Sequence, residues 1–261
     1  MKMIVTDLDG TLLRSDKSIS DRTLKALGRL DSKGIKLVIA TARAKRHVAK
    51  LLPFDFVNMY IACYNGAEIY HGDKLIYYKY INEKFIEDFV KWLLGKYPNI
   101  NVALEISNCL YTCFDINVMK NWDPPYSRVD FHKFEYKPTA KILVDLREIE
   151  DISEITDNIP NGCKCIVTDG GTLAQISHAD ISKLNAVKDI SRILNIELKD
   201  IIAFGDDYND LEMLVECGRG VAMGNAPDEI KRKVGCCTLT NDEDGVAVEI
   251  ERILNEKTKN W

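Results

Sequence analysis

The stretch MIVTDLDGTLL at residues 3–13 carries the strongest fold signal in this 261-residue sequence. Its opening apolar, β-branched run is typical of a buried strand in a parallel sheet. The strand leads directly into Asp7 and Asp9, and Gly10 then lets the backbone turn sharply away from the sheet. Open α/β sheets bind ligands at the carboxyl ends of their strands, so two carboxylates at this point predict a chemical site. The alternative is a solvated acidic turn after a core strand.

Composition narrows the class of protein. Hydrophobic residues make up 46% and charged residues 29% of the chain, as in ordinary soluble globular proteins. The net charge of -5 argues against nucleic acid or anionic membranes as partners, and it requires local positive charge at any phosphate site. No apolar run approaches the length of a bilayer span, so we expect no membrane partner. The eight cysteines form no C-x-x-C pair, which favours reduced thiols in a cytoplasmic protein and disfavours zinc.

The pattern of strands and helices predicts two domains. Strand and helix alternate over residues 1–81 and again over 180–261, which indicates an α/β core with a parallel sheet. Residues 82–179 differ, with helices predicted at 83–96 and 148–158 among short strands, and they predict a compact α+β unit. We therefore predict a discontinuous core domain, 1–81 with 180–261, interrupted by an inserted domain at 82–179.

Four polar clusters follow a core strand or begin a core helix. They are D-x-D-G-T at 7–11, Thr41 with Arg43, Lys183, and G-D-D-Y-N-D at 205–210. The carboxylates would repel one another strongly unless a divalent cation lay among them, and a site rich in oxygen and free of histidine suits Mg²⁺. A hydroxyl, a lysine and an amide are the groups that bind a tetrahedral phosphate.

These motifs resemble the haloacid dehalogenase superfamily, and within it the Cof-type sugar phosphatases with a large cap inserted between the second and third motifs. The matching segments are DLDGTLL at 7–13, NGA at 65–67, GDxxND at 205–210, AMGNA at 222–226 and NDEDGV at 241–246. The resemblance covers nearly all of the core, in the right order. It implies a Rossmann-like α/β core and an α+β cap that excludes water and recognises the leaving group.

The resemblance also implies roles for the acidic residues. Asp7 would be the nucleophile that forms an aspartyl phosphate, and Asp9 would be the general acid and base. Mg²⁺ would be bound by Asp7, the backbone carbonyl of Asp9 and Asp206. Asp210 would order a metal-bound water or Lys183.

The phosphate-binding residues implied by the resemblance are Thr41, Ala42, Lys183 and Asn209. They would hold the oxygens of the transferring phosphoryl group, and Lys183 would also offset the carboxylate charge. Arg43 has two interpretations, contact with substrate or coverage of the helix surface by its aliphatic stem.

Two positions depart from the family pattern. Ala42 and Leu184 stand where relatives usually have glycine, and a backbone that requires positive φ would disfavour Ala42. Leu184 could alter how the start of its helix approaches the phosphate or the cap. For Lys183 the alternative is a solvated lysine beside Ser182, a plausible N-cap.

The sequence thus predicts Mg²⁺-dependent hydrolysis of a small phosphomonoester, a sugar phosphate or a similar metabolite. One alternative is a phosphohexomutase with the same aspartyl-phosphate chemistry. Another is a non-catalytic metabolite-binding module on the same fold, which the presence of all the motif residues disfavours. In the inserted domain, WDPPY at 122–126 either borders a sugar site or is a rigid connection with packed aromatics. The physiological substrate and the oligomeric state stay open.

Overall fold

The computed structural model describes residues 1–53, 56–115 and 126–256. The predicted cap loop at 122–126 lies outside the described residues except for Tyr126, which begins a short strand. None of the helices in the described ranges combines the length and the apolar composition that a bilayer span requires.

The described residues form thirteen strands and eight α-helices. The strands are β1 (Met3–Thr6), β2 (Lys36–Ala40), β3 (Met59–Cys63), β4 (Glu68–His71), β5 (Lys74–Tyr78), β6 (Val102–Ile106), β7 (Cys109–Thr112), β8 (Tyr126–Arg128), β9 (Lys141–Asp145), β10 (Cys163–Thr168), β11 (Leu173–His178), β12 (Ile201–Gly205) and β13 (Arg219–Ala222). The helices are α1 (Asp21–Ser32), α2 (Lys45–Leu51), α3 (Glu83–Lys96), α4 (Ser153–Thr156), α5 (Lys183–Leu194), α6 (Leu211–Glu216), α7 (Asp228–Val234) and α8 (Gly245–Glu256).

The chain forms two compact units. The first combines Met1–Tyr78 with Ser182–Trp261, and the second is Lys79–Ile181. The insertion predicted at 82–179 lies inside the range of the second unit.

The first unit is built on a seven-stranded sheet in the order β13-β12-β1-β2-β3-β4-β5. The strands from β13 to β3 are parallel, and β4 and β5 form an antiparallel edge. Val5, Val38 and Ala203 from the sheet share one core cluster with Val187 and Ile190 of α5. Strands buried in this way are almost continuously apolar, which is why their sequences show no alternation. The predicted α/β class with a parallel sheet is confirmed.

The second unit contains a six-stranded sheet in the order β10-β11-β9-β6-β7-β8, in which only β7 and β8 pair in parallel. The helix α3 buries Phe89 and Val90 in a cluster with Val102, Ile142 and Val144 of the sheet. These sheet residues alternate along their strands because one face of an antiparallel sheet packs on the helix. The unit is therefore α+β.

The helix predicted over 148–158 is wrong except for one turn, α4. The side chain of Asp151 accepts a hydrogen bond from the backbone N–H of Ser153 at 2.9 Å, so helical hydrogen bonding begins only there. Before it, the N–H of Ile149 closes a separate turn on the carbonyl of Leu146. Pro160 then disfavours continuation of the helix.

Two glycines of the first unit allow a matched test of its packing. A Cβ at Gly28 of α1 meets no atom within 4 Å, whereas a Cβ at Gly220 of β13 would lie 1.9 Å from the carbonyl oxygen of Leu214. We expect Gly28→Ala to raise the free energy of unfolding by about 0.5–1 kcal/mol because glycine is a poor helix former. We expect Gly220→Ala to lower it by about 1–3 kcal/mol because the backbone must shift. Urea unfolding measures both, and equal effects would contradict this packing.

Candidate active site

The parallel sheet brings the predicted polar clusters to one edge. Asp7 directly follows β1, Thr41 follows β2 and Asp206 follows β12. These three strands are parallel neighbours, with β1 in register with both of the others. Their carboxyl ends therefore meet at the same edge, where α/β sheets bind their ligands.

Lys183 lies at the centre of this edge. It is the first residue of α5, after Ser182, whose side chain caps the helix. Its Nζ lies 2.7 Å from Oδ1 of Asp7, 2.7 Å from Oδ1 of Asp210 and 3.4 Å from Oδ1 of Asn209. The side chain is only 2% exposed, so the alternative of a solvated lysine is wrong.

Asp210 organises the turn that follows β12. Its Oδ2 accepts hydrogen bonds from the backbone N–H groups of Asp206 and Asp207, each at 3.1 Å, while Oδ1 accepts from Lys183. A Cβ at Gly205 would lie 2.5 Å from the Cβ of Asp210, so the turn needs glycine there. Hydrogen bonds to Asp210 thus fix the conformation of this acidic turn.

Asp206 is held by two residues that the sequence analysis did not single out. Oγ1 of Thr11 donates to its Oδ1 at 2.7 Å, and Nδ2 of Asn225 lies 3.3 Å from its Oδ2. The same amide donates to the carbonyl oxygen of Gly10 at 2.8 Å. Gly10 has a positive φ, and a Cβ there would lie 2.3 Å from Asp206 Oδ2. Thr11 lies in the DGT segment at 9–11 and Asn225 in the GNA segment at 224–226, so these two segments were the sequence signal for the residues that hold Asp206.

The clustered carboxylates, two buried and one half-buried, form a site suited to a hard divalent cation. Oxygens of Asp7, Asp206 and Asp210 lie within 4.8 Å of one another, and the single ammonium group of Lys183 contacts two of these carboxylates, Asp7 and Asp210. Burial raises the pKa of Asp7 to about 8; Lys183 opposes the shift, and the charge of Asp210 adds to it. Burial also raises the pKa of Asp206. The residues present therefore fit Mg²⁺, which prefers oxygen ligands and would supply the missing positive charge.

Asp9 is held by two cations. Arg43 donates from Nε to Oδ2 at 2.6 Å and from Nη2 to Oδ1 at 2.7 Å, and Lys17 donates from Nζ to Oδ1 at 2.9 Å. Partial burial raises the pKa of Asp9, but hydrogen bonds and charge from these two residues outweigh it and lower the pKa to about 2. The sequence analysis did not predict this ion pair, and contact of Arg43 with substrate stays a prediction.

The turn containing the NGA segment fixes the loop that carries Thr41. The backbone N–H of Asn65 donates to the carbonyl of Thr41 at 2.8 Å, and that of Tyr64 donates to the carbonyl of Arg43 at 3.0 Å. Tyr64 and Asn65 both have positive φ. A Cβ at Gly66 would lie 2.5 Å from the Cβ of Ala186 on α5. The turn therefore lies between the Thr41 loop and the helix that begins at Lys183.

The structure accommodates Ala42 and Leu184, the two residues that stand where relatives usually have glycine. Ala42 is not among the residues with positive φ, so alanine brings no backbone strain at this position. Leu184 is 8% exposed and packs with Val187 in the core cluster of the first unit. Its side chain therefore contributes to the core.

Comparison with known proteins assigns the family. A family model described as haloacid dehalogenase-like hydrolase matches residues 4–250, so the chain belongs to the haloacid dehalogenase-like hydrolases, as its motifs predicted. It is thus an enzyme of the hydrolase class.

The chain is similar over nearly its whole length to proteins named phosphatases. Phosphatase YwpJ of Bacillus subtilis is 29% identical over 97% of this chain and 100% of its own length. The 5-amino-6-(5-phospho-D-ribitylamino)uracil phosphatase YcsE of the same organism is 29% identical over 96% and 94%. A solved haloacid dehalogenase-like hydrolase from Bacteroides thetaiotaomicron has a TM-score of 0.80 and 29% identity, covering 97% of this chain and 99% of that chain.

The surplus of buried negative charge predicts that Asp7→Asn stabilises the protein without divalent metal. The pKa of Asp7 lies above its unfolded value, so its contribution to stability is fully present below about pH 4 and is lost as the pH rises to about 8. We expect Asp7→Asn to lack this loss, so that its free energy of unfolding at pH 8 exceeds that of the parent by ~1 kcal/mol or more.

Urea unfolding in chelator at pH 5, 6.5 and 8 measures this difference. Asp73→Asn, which removes an exposed carboxylate from the turn between β4 and β5, serves as the control. Parallel pH profiles for the parent and Asp7→Asn would contradict the charge surplus.

Removing the central cation should have the opposite effect. Lys183→Met leaves Asp7 and Asp210 buried without their ammonium partner, and we expect it to lower the free energy of unfolding by about 3–5 kcal/mol. Lys188→Met, the same substitution at a half-buried position of α5, should change it by less than about 0.5 kcal/mol. Thermal unfolding in chelator compares the two, and equal losses would show that the buried ion pairs do not hold this edge together.

Proposed function

We propose that this chain is a Mg²⁺-dependent phosphatase that hydrolyses a small phosphomonoester, a sugar phosphate or a similar metabolite, through an aspartyl phosphate on Asp7. The observation that carries the proposal is the buried contact of Asp7 with Lys183, next to Asp206 and Asp210 at one sheet edge. A nucleophile beside a fixed cation and a cluster of oxygen ligands is the arrangement that phosphoryl transfer needs. The names of the relatives support a phosphatase, and the name of YcsE supports a small phosphomonoester as the substrate.

Mg²⁺ would be held by Asp7, Asp206 and the backbone carbonyl of Asp9. Asp210 accepts hydrogen bonds on both carboxylate oxygens, from Lys183 and from two backbone N–H groups, which suits it to support the site rather than bind the metal directly. The bound ion would reduce the repulsion between an anionic nucleophile and an anionic ester.

The chemistry divides into two displacements at phosphorus. In the first, a carboxylate oxygen of Asp7 bonds to phosphorus while the ester P–O bond breaks, and the protonated form of Asp9, which requires its release from Arg43 and Lys17, gives its proton to the departing alkoxide. In the second, water attacks the same phosphorus and gives its proton to Asp9. The bond between phosphorus and Asp7 then breaks, and inorganic phosphate leaves.

The transferring phosphoryl group would be held by Thr41, Ala42, Lys183 and Asn209. Lys183 is fixed by its bond to Asp7 Oδ1, and it lies within 3.4 Å of the Asn209 side chain. Thr41 is buried, and its loop is fixed by the turn that contains the NGA segment. Donors fixed before the reaction lower its barrier because they need no reorganisation as charge moves.

We further propose a cytoplasmic protein with a small-molecule partner and neither nucleic acid nor membrane as a partner. All eight cysteines are free, as in reducing compartments. The net charge of -5 disfavours association with polyanions.

Release of phosphate from p-nitrophenyl phosphate, with Mg²⁺ and with chelator, tests this function. We expect turnover by the parent only with Mg²⁺. Asp7→Asn should abolish it because the nucleophile is lost, and Asp9→Asn should lower it by about 10²–10⁴-fold because proton transfer is lost. Asp73→Asn, in an exposed turn, should retain the parent rate.

No turnover by folded parent protein that binds Mg²⁺ would overturn the proposal. Interconversion of hexose phosphates that depends on an added bisphosphate would then identify a mutase. Metabolite binding without either reaction would identify a binding module.

A further inference from the structure

The carboxylate of Asp9 occupies a site made of two cations. It accepts the two-pronged Arg43 guanidinium and the Lys17 ammonium together, at distances of 2.6 to 2.9 Å. The side chains remain accessible, with exposed fractions of 32% for Arg43, 50% for Lys17 and 35% for Asp9. A guanidinium fork matches the spacing of two oxygens in any carboxylate or phosphate.

The position of Lys17 is fixed by the fold. Lys17 has a φ of 69°, which is uncommon for a residue with a side chain, and it lies in a turn closed by backbone hydrogen bonds between Arg14 and Ser18 and between Lys17 and Arg14. Arg14 makes a two-pronged ion pair with Asp244 at 2.9 Å. Backbone strain that the surrounding structure maintains is typical of functional sites.

The placement of Asp9 indicates which part of a substrate this cation pair faces. In the proposed reaction Asp9 exchanges a proton with the ester oxygen of the leaving group, whereas Lys183 and Thr41 hold the transferring phosphoryl group. Groups that bind the Asp9 carboxylate therefore lie on the leaving-group side. An anion there would compete with Asp9 for the same donors and release it to turn towards the ester oxygen.

We propose that Arg43 and Lys17 bind a second anionic group of the substrate, a carboxylate or a second phosphate on the leaving group, which displaces Asp9 from them. This inference rests on the proposed phosphatase function and deepens it, since it names the substrate class as phosphomonoesters with a second oxyanion. The two cations also supply the local positive charge that a chain with a net charge of -5 needs in order to bind a ligand with two anionic groups.

Matched ligand pairs test the proposal. The carboxylate arm compares 3-phosphoglycerate with glycerol 3-phosphate, and the phosphate arm compares glucose 1,6-bisphosphate with glucose 1-phosphate. Calorimetric titration into Asp7→Asn protein in Mg²⁺ buffer gives Kd without turnover, and phosphate release by the parent gives kcat/KM. We expect the more anionic member of at least one pair to be preferred by about ten-fold or more in both measurements.

Variants of the cation pair show whether it causes the preference. In Lys17→Met, the ratios of Kd and of kcat/KM between the two members of the preferred pair should fall towards one. In Arg43→Lys these ratios should fall less, because the positive charge stays while the two-pronged guanidinium is lost. Lys25→Met, which removes the same charge from an exposed position of α1, should keep the parent ratio.

The outcomes separate this proposal from the proposed function. Hydrolysis of both members with equal kcat/KM and equal Kd in both arms would overturn the anion site and leave the phosphatase intact. A preference that survives in Lys17→Met and Arg43→Lys would also overturn it. Failure to release phosphate from any ester, with the binding preference retained, would overturn the phosphatase and leave the anion site.

Discussion

The contact of the Lys183 ammonium with Asp7 and Asp210 is the interaction on which the rest of the site depends. It joins the start of α5 to the loop after β1, 176 positions away, and to the turn after β12. A buried carboxylate without a partner is costly, so we expect loss of this cation to weaken the contact between these elements. The backbone bonds from Asp206 and Asp207 to Asp210 then extend the same constraint to the acidic turn. Ion pairs and hydrogen bonds thus hold the site together at the polar edge of an apolar sheet.

The sequence predicted the core well because its signals are local and repeated. Buried parallel strands are almost continuously apolar, and β1, β2 and β12 lead directly into the polar residues Asp7, Thr41 and Asp206. Knowing that parallel strands end at one edge is enough to bring these residues together without coordinates. The helix pattern likewise predicted Lys183 in the first turn of a helix, whereas its nearly complete burial is evident only from the structure.

The remaining features depend on side-chain geometry that no residue pattern contains. Arg43 and Asp9 lie 34 positions apart, and whether the guanidinium turns towards solvent or towards Asp9 depends on how two loops approach each other. Lys17 adopts a positive φ that composition does not signal. The single turn of α4 replaced a longer predicted helix because Asp151 bonds to the backbone at Ser153, a local competition that apolar spacing does not record.

The sheet order has a consequence for the order of events during synthesis. The strand β1, the middle one of the five parallel strands, is made before every other strand of its sheet, yet one of its two neighbours is β12, with Met3 opposite Ile201. Its other neighbour, β2, is made long before β12, so β1 and β2 can pair before the strand on the other side of β1 exists. The second unit, Lys79–Ile181, is contiguous and is made entirely within that interval. Until β12 is made, the edge of β1 that β12 covers has no partner strand. We therefore expect the ribosome-bound chain to be most open to chaperones and to mispairing with other chains while the insertion is translated.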